Sequence, residues 1–365
     1  MKVILLAENL QKKLSFSNKA ISSKNQLPIL SHVLLETKGE MLVLSSTDLE
    51  IGIEITIPCE IIEIGSVAVP ARLFLEIANS LPQEKITLET IDGKLEISSK
   101  KTRTVLQSSS KEEFPLLYEN KGGKVASFSN GSLRKTFGRI LFAASVESTR
   151  PALSGVLLKR QGEQFVVVAT DGYRLSLDMV PAEGKDEPFE SILFPARFLR
   201  EAIAIFENND VSLFLSKENN QIIFEQNDTL LIGRTIEAEF PNYEKVIPTD
   251  TASKVLVDRE ALLRAVKACA IFAREAANII TFSLKNDAIT VSSKSPSLGE
   301  NTVEVEAKLT GEENEIAFNA RYLLEALSIF QENDISFSMT GPLNPGVFRI
   351  EGNDQYLHLI MPIRK

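Results

Sequence analysis

The sequence predicts an α+β protein built from three tandem copies of one unit, because one phrase is written three times. The copies read "VPARLFLEIANSLPQEKITLE" from Val69, "FPARFLREAIAIFENNDVSLFLS" from Phe194 and "FNARYLLEALSIFQENDISFSM" from Phe318. Their Ala-Arg pairs begin at positions 71, 196 and 320, which are 125 and 124 residues apart. A period of this length is too long for a solenoid and is typical of tandem domains.

Other landmarks keep nearly the same offset. "PILSHVLLETKGEMLVLSSTDLEIGIE" from Pro28 pairs with "PALSGVLLKRQGEQFVVVATDGYRLSL" from Pro151, and "EEFPLLYEN" from Glu112 pairs with "AEFPNYEKVIP" from Ala238. The third copy keeps the strand pattern in "NIITFSLKNDAITVSSKSPSLGEN" but loses the Thr-Asp pair. The turn-rich stretches "NKGGK" and "PTDTASK" indicate the boundaries. We therefore expect domains at residues 1–121, 122–249 and 250–365.

Each copy orders its elements in the same way. A helical stretch comes first, short strands rich in β-branched residues follow, and then come the Ala-Arg helix and more strands. In the second Ala-Arg helix, Phe198, Ala202, Ile205 and Phe206 recur at helical spacing, so one face is buried. This order predicts helices gathered on one side of antiparallel sheets. The six predicted helices cover residues 8–24, 70–82, 130–145, 195–207, 258–276 and 319–331.

The residues offer no catalytic set, which favours a scaffold over an enzyme. The two histidines, His32 and His358, each lie in an apolar strand-like run, where a structural role is more common than catalysis. No glycine-rich phosphate-binding motif is present. The repeated Thr47-Asp48 and Thr170-Asp171 admit two interpretations: a carboxylate pair for acid–base chemistry, or aspartates that bond local backbone N–H groups in a turn. Repetition by duplication favours the turn.

Composition points to an ordinary globular protein of the cytoplasm. Apolar residues make up 44% of the chain and charged residues 24%, and no apolar run reaches the length of a membrane span. The N-terminal apolar stretch is too short for a signal peptide. Cys59 and Cys269 form no metal-ligand spacing, so we expect reduced cysteines, no metal and no cofactor.

Charge is segregated between the helices and the rest of the chain. The whole chain carries −9, which alone argues against a nucleic-acid partner. The six predicted helices, however, contain 15 Lys and Arg against 8 Asp and Glu, so they carry +7 and the remainder −16. Such a distribution is typical of helices that face a polyanion, although solvated helix faces with random charge remain an alternative. The stretch 130–145 holds Arg134, Lys135 and Arg139 and no acid.

Domain size decides how such helices could surround DNA. A domain of about 120 residues has a radius of gyration of about 14 Å, and hence a diameter of roughly 35 Å. Three such bodies in a triangle enclose a hole of only about 5 Å, whereas six in a hexagon enclose roughly 35 Å. Duplex DNA is roughly 20 Å across and would pass through the larger hole. One chain cannot encircle DNA, but two chains can.

Several motifs together resemble the bacterial β sliding clamps. They are "VATDGYRLSL" from Val168, "EFPNYEKVIP" from Glu239, "RPALSGVLL" from Arg150, the Ala-Arg helices and the terminal "MPIRK". The resemblance covers all three repeats in order. It implies a non-catalytic processivity subunit of the DNA polymerase III holoenzyme, which acts as a head-to-tail homodimeric ring. It also implies that a loader complex opens this ring with ATP, which the chain itself does not bind.

The resemblance further implies a pocket that takes short peptide motifs of the replicative polymerase, the clamp loader and repair polymerases. An apolar groove with an adaptable methionine suits several partners. For Leu175, Val246 and Leu359 a plain core role is the alternative. We expect "YLHLIMPI" to pair as a strand and to bring Met361 beside the 170–175 turn. By motif, the pocket residues are Leu153, Thr170, Gly172, Tyr173, Arg174, Leu175, Pro241, Lys245, Val246, Leu359, Met361, Pro362, Ile363 and Arg364.

The same resemblance suggests residues for the ring's lining and seam. The family usually ends in leucine or a short apolar end, whereas this chain ends in Lys365, and Lys245 stands where an arginine is common. An enzyme built of repeats, or an interaction scaffold without DNA, remains the alternative function. The expected DNA-facing residues are Lys24, Arg72, Arg134, Lys135, Arg139, Arg197 and Arg264. The expected seam residues are Leu73, Thr104, Ile271 and Phe272.

Overall fold

The computed structural model describes residues 1–21, 27–129, 131–147, 149–182, 187–206, 209–216, 218–285 and 287–364. Over these residues it contains six α-helices and 25 β-strands. The helices are α1 (Ala7–Ser17), α2 (Ala71–Ser80), α3 (Ser132–Gly138), α4 (Ala196–Ile205), α5 (Arg259–Ala273) and α6 (Ala320–Ile329). No helix in these ranges is long and apolar enough to cross a membrane.

The strands recur in the same order in each sequence repeat. The first repeat contributes β1 (Lys2–Leu6), β2 (His32–Lys38), β3 (Met41–Thr47), β4 (Ile51–Pro58), β5 (Glu60–Glu63), β6 (Ser66–Pro70), β7 (Lys85–Ile91), β8 (Lys94–Ser98) and β9 (Arg103–Gln107). The second contributes β10 (Gly123–Phe128), β11 (Gly155–Gln161), β12 (Gln164–Thr170), β13 (Arg174–Pro181), β14 (Ser191–Pro195), β15 (Val211–Ser216), β16 (Gln221–Gln226) and β17 (Thr229–Arg234). The third contributes β18 (Ser253–Asp258), β19 (Ile279–Lys285), β20 (Ala288–Ser295), β21 (Gly299–Gly311), β22 (Asn314–Asn319), β23 (Asp334–Met339), β24 (Gly346–Ile350) and β25 (Asn353–Ile360).

The six helices lie at the predicted positions, but α3 and α1 end earlier than expected. The stretch 130–145 was expected to form one helix, but α3 ends at Gly138, and a separate 3-10 turn covers Leu141–Ala143. Glycine is a poor helix former because it loses the most backbone freedom, which explains an early end here. Of the first predicted helix, α1 ends at Ser17 and a 3-10 turn continues to Ala20. The candidate Lys24 lies outside the described residues.

The chain divides into two compact units. Unit 1 comprises Met1–Leu133, Glu183–Phe189 and Arg197–Thr235, and unit 2 comprises Arg134–Ala182, Glu190–Ala196 and Ile236–Lys365. Unit 1 contains a five-stranded antiparallel sheet, β5-β1-β7-β8-β9, and an eight-stranded sheet, β10-β15-β16-β17-β4-β3-β2-β6. Unit 2 contains one 12-stranded sheet, β14-β11-β12-β13-β25-β24-β23-β18-β21-β20-β19-β22.

Strands of neighbouring repeats join within each unit at one antiparallel pair. In unit 1, β17 pairs with β4, and in unit 2, β13 pairs with β25. We call these pairs the first and second strand junctions. The helices pack on the sheets as the amphipathic pattern requires: α1 lies on β3 and β4 and against α2, and α5 lies on β20 and β21 and against α6.

Candidate peptide-binding site

The turn between β12 and β13 is shaped by its own side chains. Thr170 donates its hydroxyl to the Arg174 carbonyl (2.6 Å) and accepts from the Gly172 N–H (3.0 Å). The Asp171 carboxylate accepts from the N–H groups of Tyr173 (2.9 Å) and Arg174 (3.0 Å). Gly172 has a φ of +90°, which favours glycine. Asp48 likewise accepts from the N–H groups of Glu50 and Ile51, so the prediction that both aspartates bond backbone N–H groups in a turn is confirmed.

Arg174 fixes this turn to the helix side of the sheet. Its side chain is 7% exposed and donates to Asp171 (3.0 Å), to the Phe142 carbonyl (2.6 Å) and to Glu325. Its guanidinium also lies over the rings of Phe142 (5.3 Å) and Tyr322 (4.6 Å). A buried guanidinium with this many partners is a structural clamp, so a bound peptide would meet the turn it positions rather than a free charge.

The C-terminal residues are tied down at two backbone positions. β25 pairs with β13, and the Met361 N–H then donates to the Tyr173 carbonyl (2.8 Å). The Ile363 N–H donates to the Ala317 carbonyl (2.8 Å), just before α6. The prediction that this segment forms a strand and brings Met361 beside the turn is confirmed. A terminal segment held in this way can serve as one wall of a binding site.

The predicted pocket residues divide into a buried floor and an exposed rim. Leu153, Leu175 and Leu359 are buried at 8%, 2% and 1% exposure, and the last two are cross-strand partners. They form the floor, where Leu175 and Leu359 pack with Val347, Leu357 and Tyr243 in one apolar cluster. The rim is exposed or half-buried and consists of Tyr173, Pro241, Lys245, Val246, Met361, Pro362, Ile363 and Arg364.

His358 and Asp178 are buried ionisable groups on the two strands of the second strand junction. Nδ1 of His358 is 2.7 Å from the Ser176 hydroxyl, and its Nε2 has no hydrogen-bond partner among the described residues. Burial, and then the nearby Arg174 charge, lower the pKa of His358 to about 3. Burial raises the pKa of Asp178 to about 6, against the lowering effect of Arg139. His358 is therefore neutral in the folded protein at neutral pH.

The predicted DNA-facing residues differ in how exposed their charges are. Arg72, Arg134, Lys135 and Arg264 are exposed, and Arg264 forms an ion pair within α5 with Glu260 (2.8 Å). Arg197 binds Asp48 and Glu50 within unit 1. The Arg139 side chain is only 12% exposed and binds Glu332 (2.9 Å). Arg139 and Arg197 thus contribute to the fold as well as to the charge of the helices.

The predicted seam residues lie near two sheet edges. Leu73 on α2 is 46% exposed and Ile271 on α5 is 60% exposed, whereas Thr104 and Phe272 are half-buried. Thr104 belongs to β9, which pairs with β8 and forms one edge of its sheet. In β21, residues 299–306 pair with β20, and residues 307–311 pair with β18 instead.

Sequence reasoning missed the residues that hold the turn from the helix side. These are Phe142, Tyr322 and Glu325, whose contacts with Arg174 are described above. One signal was available for Glu325, because a glutamate recurs at that position of each Ala-Arg helix, as Glu76 and Glu201. Nothing in the sequence marks the Phe142 carbonyl as a partner of Arg174.

Family models match the chain in three successive parts. The DNA polymerase III beta subunit N-terminal domain matches residues 1–118, the central domain residues 128–242 and the C-terminal domain residues 244–364. A beta sliding clamp of Synechocystis sp. is 30% identical over 390 residues, which cover 100% of this chain and 99% of that protein. One of Staphylococcus aureus is 29% identical over 357 residues, which cover 95% and 94%.

Solved structures resemble the chain over its whole length. The DNA polymerase sliding clamp from Bacillus subtilis superposes with a TM-score of 0.95 at 26% identity and covers 100% of this chain and 99% of that one. The DNA polymerase III subunit beta from Pseudomonas aeruginosa has a TM-score of 0.95 at 27% identity, with full coverage of both chains. A clamp from the same organism, with a TM-score of 0.94, is bound to griselimycin.

Proposed function

The chain belongs to the DNA polymerase III beta subunit family, the bacterial sliding clamps, and from this premise we propose that two copies form a closed ring around duplex DNA. Members of this family are non-catalytic processivity factors, and their partners are DNA and DNA polymerase. The fold is three tandem clamp domains, for which we propose the boundaries 1–121, 122–249 and 250–365. Replication of the chromosome places such a protein in the cytoplasm. The observation that carries the proposal is the match of all three family domains in order.

The ring closes head to tail, through β9 of one chain and β21 of the other. Each strand has a stretch with a single sheet neighbour, and such an edge can pair with another chain. The charges are complementary: Lys100, Lys101 and Arg103 are exposed at the β9 edge, and Glu300, Glu304 and Glu306 are exposed on β21. Complementary charges fix the partner and the direction of approach more than they add affinity.

Apolar residues beside these edges supply the seam's affinity. Leu73 contributes from the first domain, together with the hydroxyl side chain of Thr104, and Ile271 and Phe272 contribute from the third. Changing Ile271→Glu together with Phe272→Glu should give a folded monomer, because two carboxylates would be left buried without partners. Light scattering measures the mass, and Leu343→Glu, at a position 65% exposed on the same unit, provides the matched control. A double variant that stays dimeric at micromolar concentration would place the seam elsewhere.

DNA is held because the ring encircles it, and cations on the ring's lining attract the phosphates weakly and without fixed contacts. The lining cations are Lys24, Arg72, Arg134, Lys135, Arg139, Arg197 and Arg264, and none needs a fixed phosphate, because a sliding ring changes its contacts continuously. Ordinary phosphate contacts weaken steeply with salt, whereas topological linkage does not. A clamp loaded on closed circular DNA should therefore stay bound in high salt and leave once the circle is cut. Equal loss from linear and circular DNA would show that affinity does the holding.

The second function is peptide capture at the rim and floor around the 170–174 turn. The rim carries exposed Tyr173, Pro241, Val246 and Met361, with Lys245 and Arg364 as polar flanks. Two or three apolar side chains of a partner would contribute about 1.5–3 kcal/mol each, before the cost of ordering. Such a site gives peptide affinities of about micromolar. Its partners are short motifs of the replicative polymerase, the clamp loader and repair polymerases.

A further inference from the structure

A polar groove lies in unit 2 on three strands next to the proposed peptide site. Its volume is about 590 Å³. Its wall consists largely of hydroxyl and charged side chains. They come from β18, β23 and β24 and from the segment before β18. Its polar and charged lining residues include Asp250, Lys254, Ser336, Ser338, Arg349, Glu351 and Asp354.

Arg349 is the unusual residue of this groove. Its side chain is half-buried, yet its guanidinium has no carboxylate within 4.0 Å among the described residues. The described residues also form no hydrogen bond with this guanidinium. Burial lowers the pKa of Arg349, and the Asp354 carboxylate raises it. An arginine keeps its charge in proteins, so this fork of donors lacks the acceptors that a partly buried guanidinium normally has.

The acidic residues of the groove lie at its rim and leave Arg349 without a close partner. Asp250, Glu351 and Asp354 are all exposed, and Lys254 is 3.6 Å from Glu351. Exposed charges are screened by water and salt, whereas a half-buried guanidinium is screened less. An incoming carboxylate would therefore interact most strongly with Arg349, and the hydroxyl groups of Ser336 and Ser338 could donate to the same oxygen atoms.

The apolar floor of the peptide site continues directly into this groove. Across the sheet, Leu175 is opposite Leu359, Leu359 is opposite Val347, and Val347 is opposite Ser338. Val347 belongs to both the apolar cluster and the wall of the groove. Arg349 follows Val347 on the same face of β24, so it lies roughly 7 Å from it along the strand. A peptide residue flanking an apolar motif spans about 3.3 Å, and its side chain can cover the rest.

From this continuity and the unpartnered guanidinium, we propose that the groove is a subsite for an acidic side chain, Asp or Glu, that flanks the apolar motif of a docked peptide. The inference rests on the proposed peptide site and extends it from apolar recognition to selection by charge. Arg349 binds the carboxylate through its planar fork, and the serines complete the shell. Partners with an acid at this flank are thereby distinguished from partners that share only the apolar residues.

The test uses four fluorescent polymerase-tail peptides that share one apolar motif. Two carry Glu immediately before or immediately after the motif, and two carry Gln at the same places. On the unmodified chain, the Glu peptide whose flank reaches Arg349 should bind about five- to tenfold more tightly than its Gln twin, as expected for one charge-assisted contact. The preference should disappear in Arg349→Gln. It should persist in Lys308→Gln, which removes a positive charge from an exposed position of the same sheet.

The outcomes separate this inference from the proposal on which it rests. Equal affinities of the Glu and Gln twins at both flanks would overturn the subsite and leave the peptide site standing. A Glu preference that survives in Arg349→Gln would also overturn it. If none of the four peptides binds the unmodified chain, the peptide site itself is wrong, and the subsite with it.

Discussion

The two strand junctions share their backbone pairing and turn hydrogen bonds, but the side chains beside them differ. In the first, Ile51 and Gly52 pair with Gly233 and Ile232, and in the second, Arg174 and Leu175 pair with Ile360 and Leu359. The turns before them share their hydrogen bonds: Thr47 and Asp48 bond the backbone up to Ile51 as Thr170 and Asp171 do up to Arg174. Duplication has preserved the residues that shape the backbone.

The floors beside the junctions have diverged. On the second, Leu157, Val168 and Leu177 belong to an apolar cluster. At the corresponding positions of the first lie Leu34, Ser45 and Glu54, in a groove of about 380 Å³. There Lys38 lies 3.6 Å from Glu54, and Tyr118 donates to Glu54 (3.0 Å). The polar groups of this floor are paired with one another, so the floor has little apolar surface that could bind an apolar peptide.

At the first junction, the loop residue Leu117 fills the space that the floor residue Leu175 occupies at the second junction. Gly52 stands where the second junction has Leu175, and Leu117 packs there, since a Cβ on Gly52 would be 3.2 Å from its Cδ2. Leu117 joins a small cluster with Ile223, Leu230 and Ile232. One duplicated groove is thus closed by its own chain, whereas the other has an apolar floor and an exposed rim.

The largest difference should appear when the arginine that holds each turn is removed. Arg174→Met leaves Asp171 without its buried partner and removes one of the two arginines that bind Glu325, so it should cost about 3–5 kcal/mol. Arg197→Met, which frees Asp48 in the first junction, should cost about 1–2 kcal/mol, because the Arg197 side chain is 45% exposed. Hydrogen exchange of peptides from β13 and from β4 measures each effect locally. Equal costs would contradict the burial argument.

A smaller difference should appear in the response to acid. The pKa of His358 is about 3 in the folded chain against about 6.5 for an unperturbed histidine, so between these pH values the unfolded chain binds a proton that the folded chain does not. Its contribution is present above about pH 6.5 and is lost as pH falls toward 3. Asp178, with its pKa raised to about 6, acts in the opposite direction between about 6 and 3.8. The first junction has Leu231 at the place of His358 and therefore lacks this pH dependence.

Exchanging that residue isolates the histidine. Relative to the parent chain, His358→Leu should gain about 2 kcal/mol of unfolding free energy between pH 7 and pH 5, because the Asp178 contribution is common to both. Urea denaturation at the two pH values measures the gain, and the conservative change Leu231→Ile is the control. A difference that does not change with pH would mean that His358 takes up its proton in the folded state.

The smallest difference concerns the left-handed residue of each turn. Gly172 (φ +90°) occupies the position of Leu49 (φ +76°). Gly172→Ala should cost about 1–2 kcal/mol, because a Cβ is strained there. Leu49→Gly should change the unfolding free energy by less than about 0.5 kcal/mol, because relief of strain offsets the greater freedom of the unfolded chain. Thermal unfolding of the two variants checks this, and a Gly172→Ala variant as stable as its parent would contradict it.

Much of the fold could be predicted from the sequence because it depends on local signals. The repeats place the helices, the Thr-Asp pairs predict the turns, and the apolar run in "YLHLIMPI" predicts the last strand. Long-range partners could not be read in this way. Glu325 is 151 residues from Arg174, and Arg197 meets Asp48 across 149 residues. Whether an arginine faces solvent or forms an ion pair depends on such long-range contacts. The exposure of Arg139 and Arg197 therefore could not be predicted from the sequence pattern.

The measurement that tests most directly whether the second junction alone takes peptides is a titration of one polymerase-tail peptide against three proteins. The unmodified chain should bind with a Kd of about micromolar. A chain that lacks residues 361–365 should bind at least about 50-fold more weakly, with its dimer and melting temperature nearly unchanged, because it loses Met361 and the tail wall. A chain with Leu116→Ser and Arg234→Ala, changed only at the first junction, should bind like the parent. Undiminished binding by the truncated chain, or loss of binding in the double variant, would contradict the account.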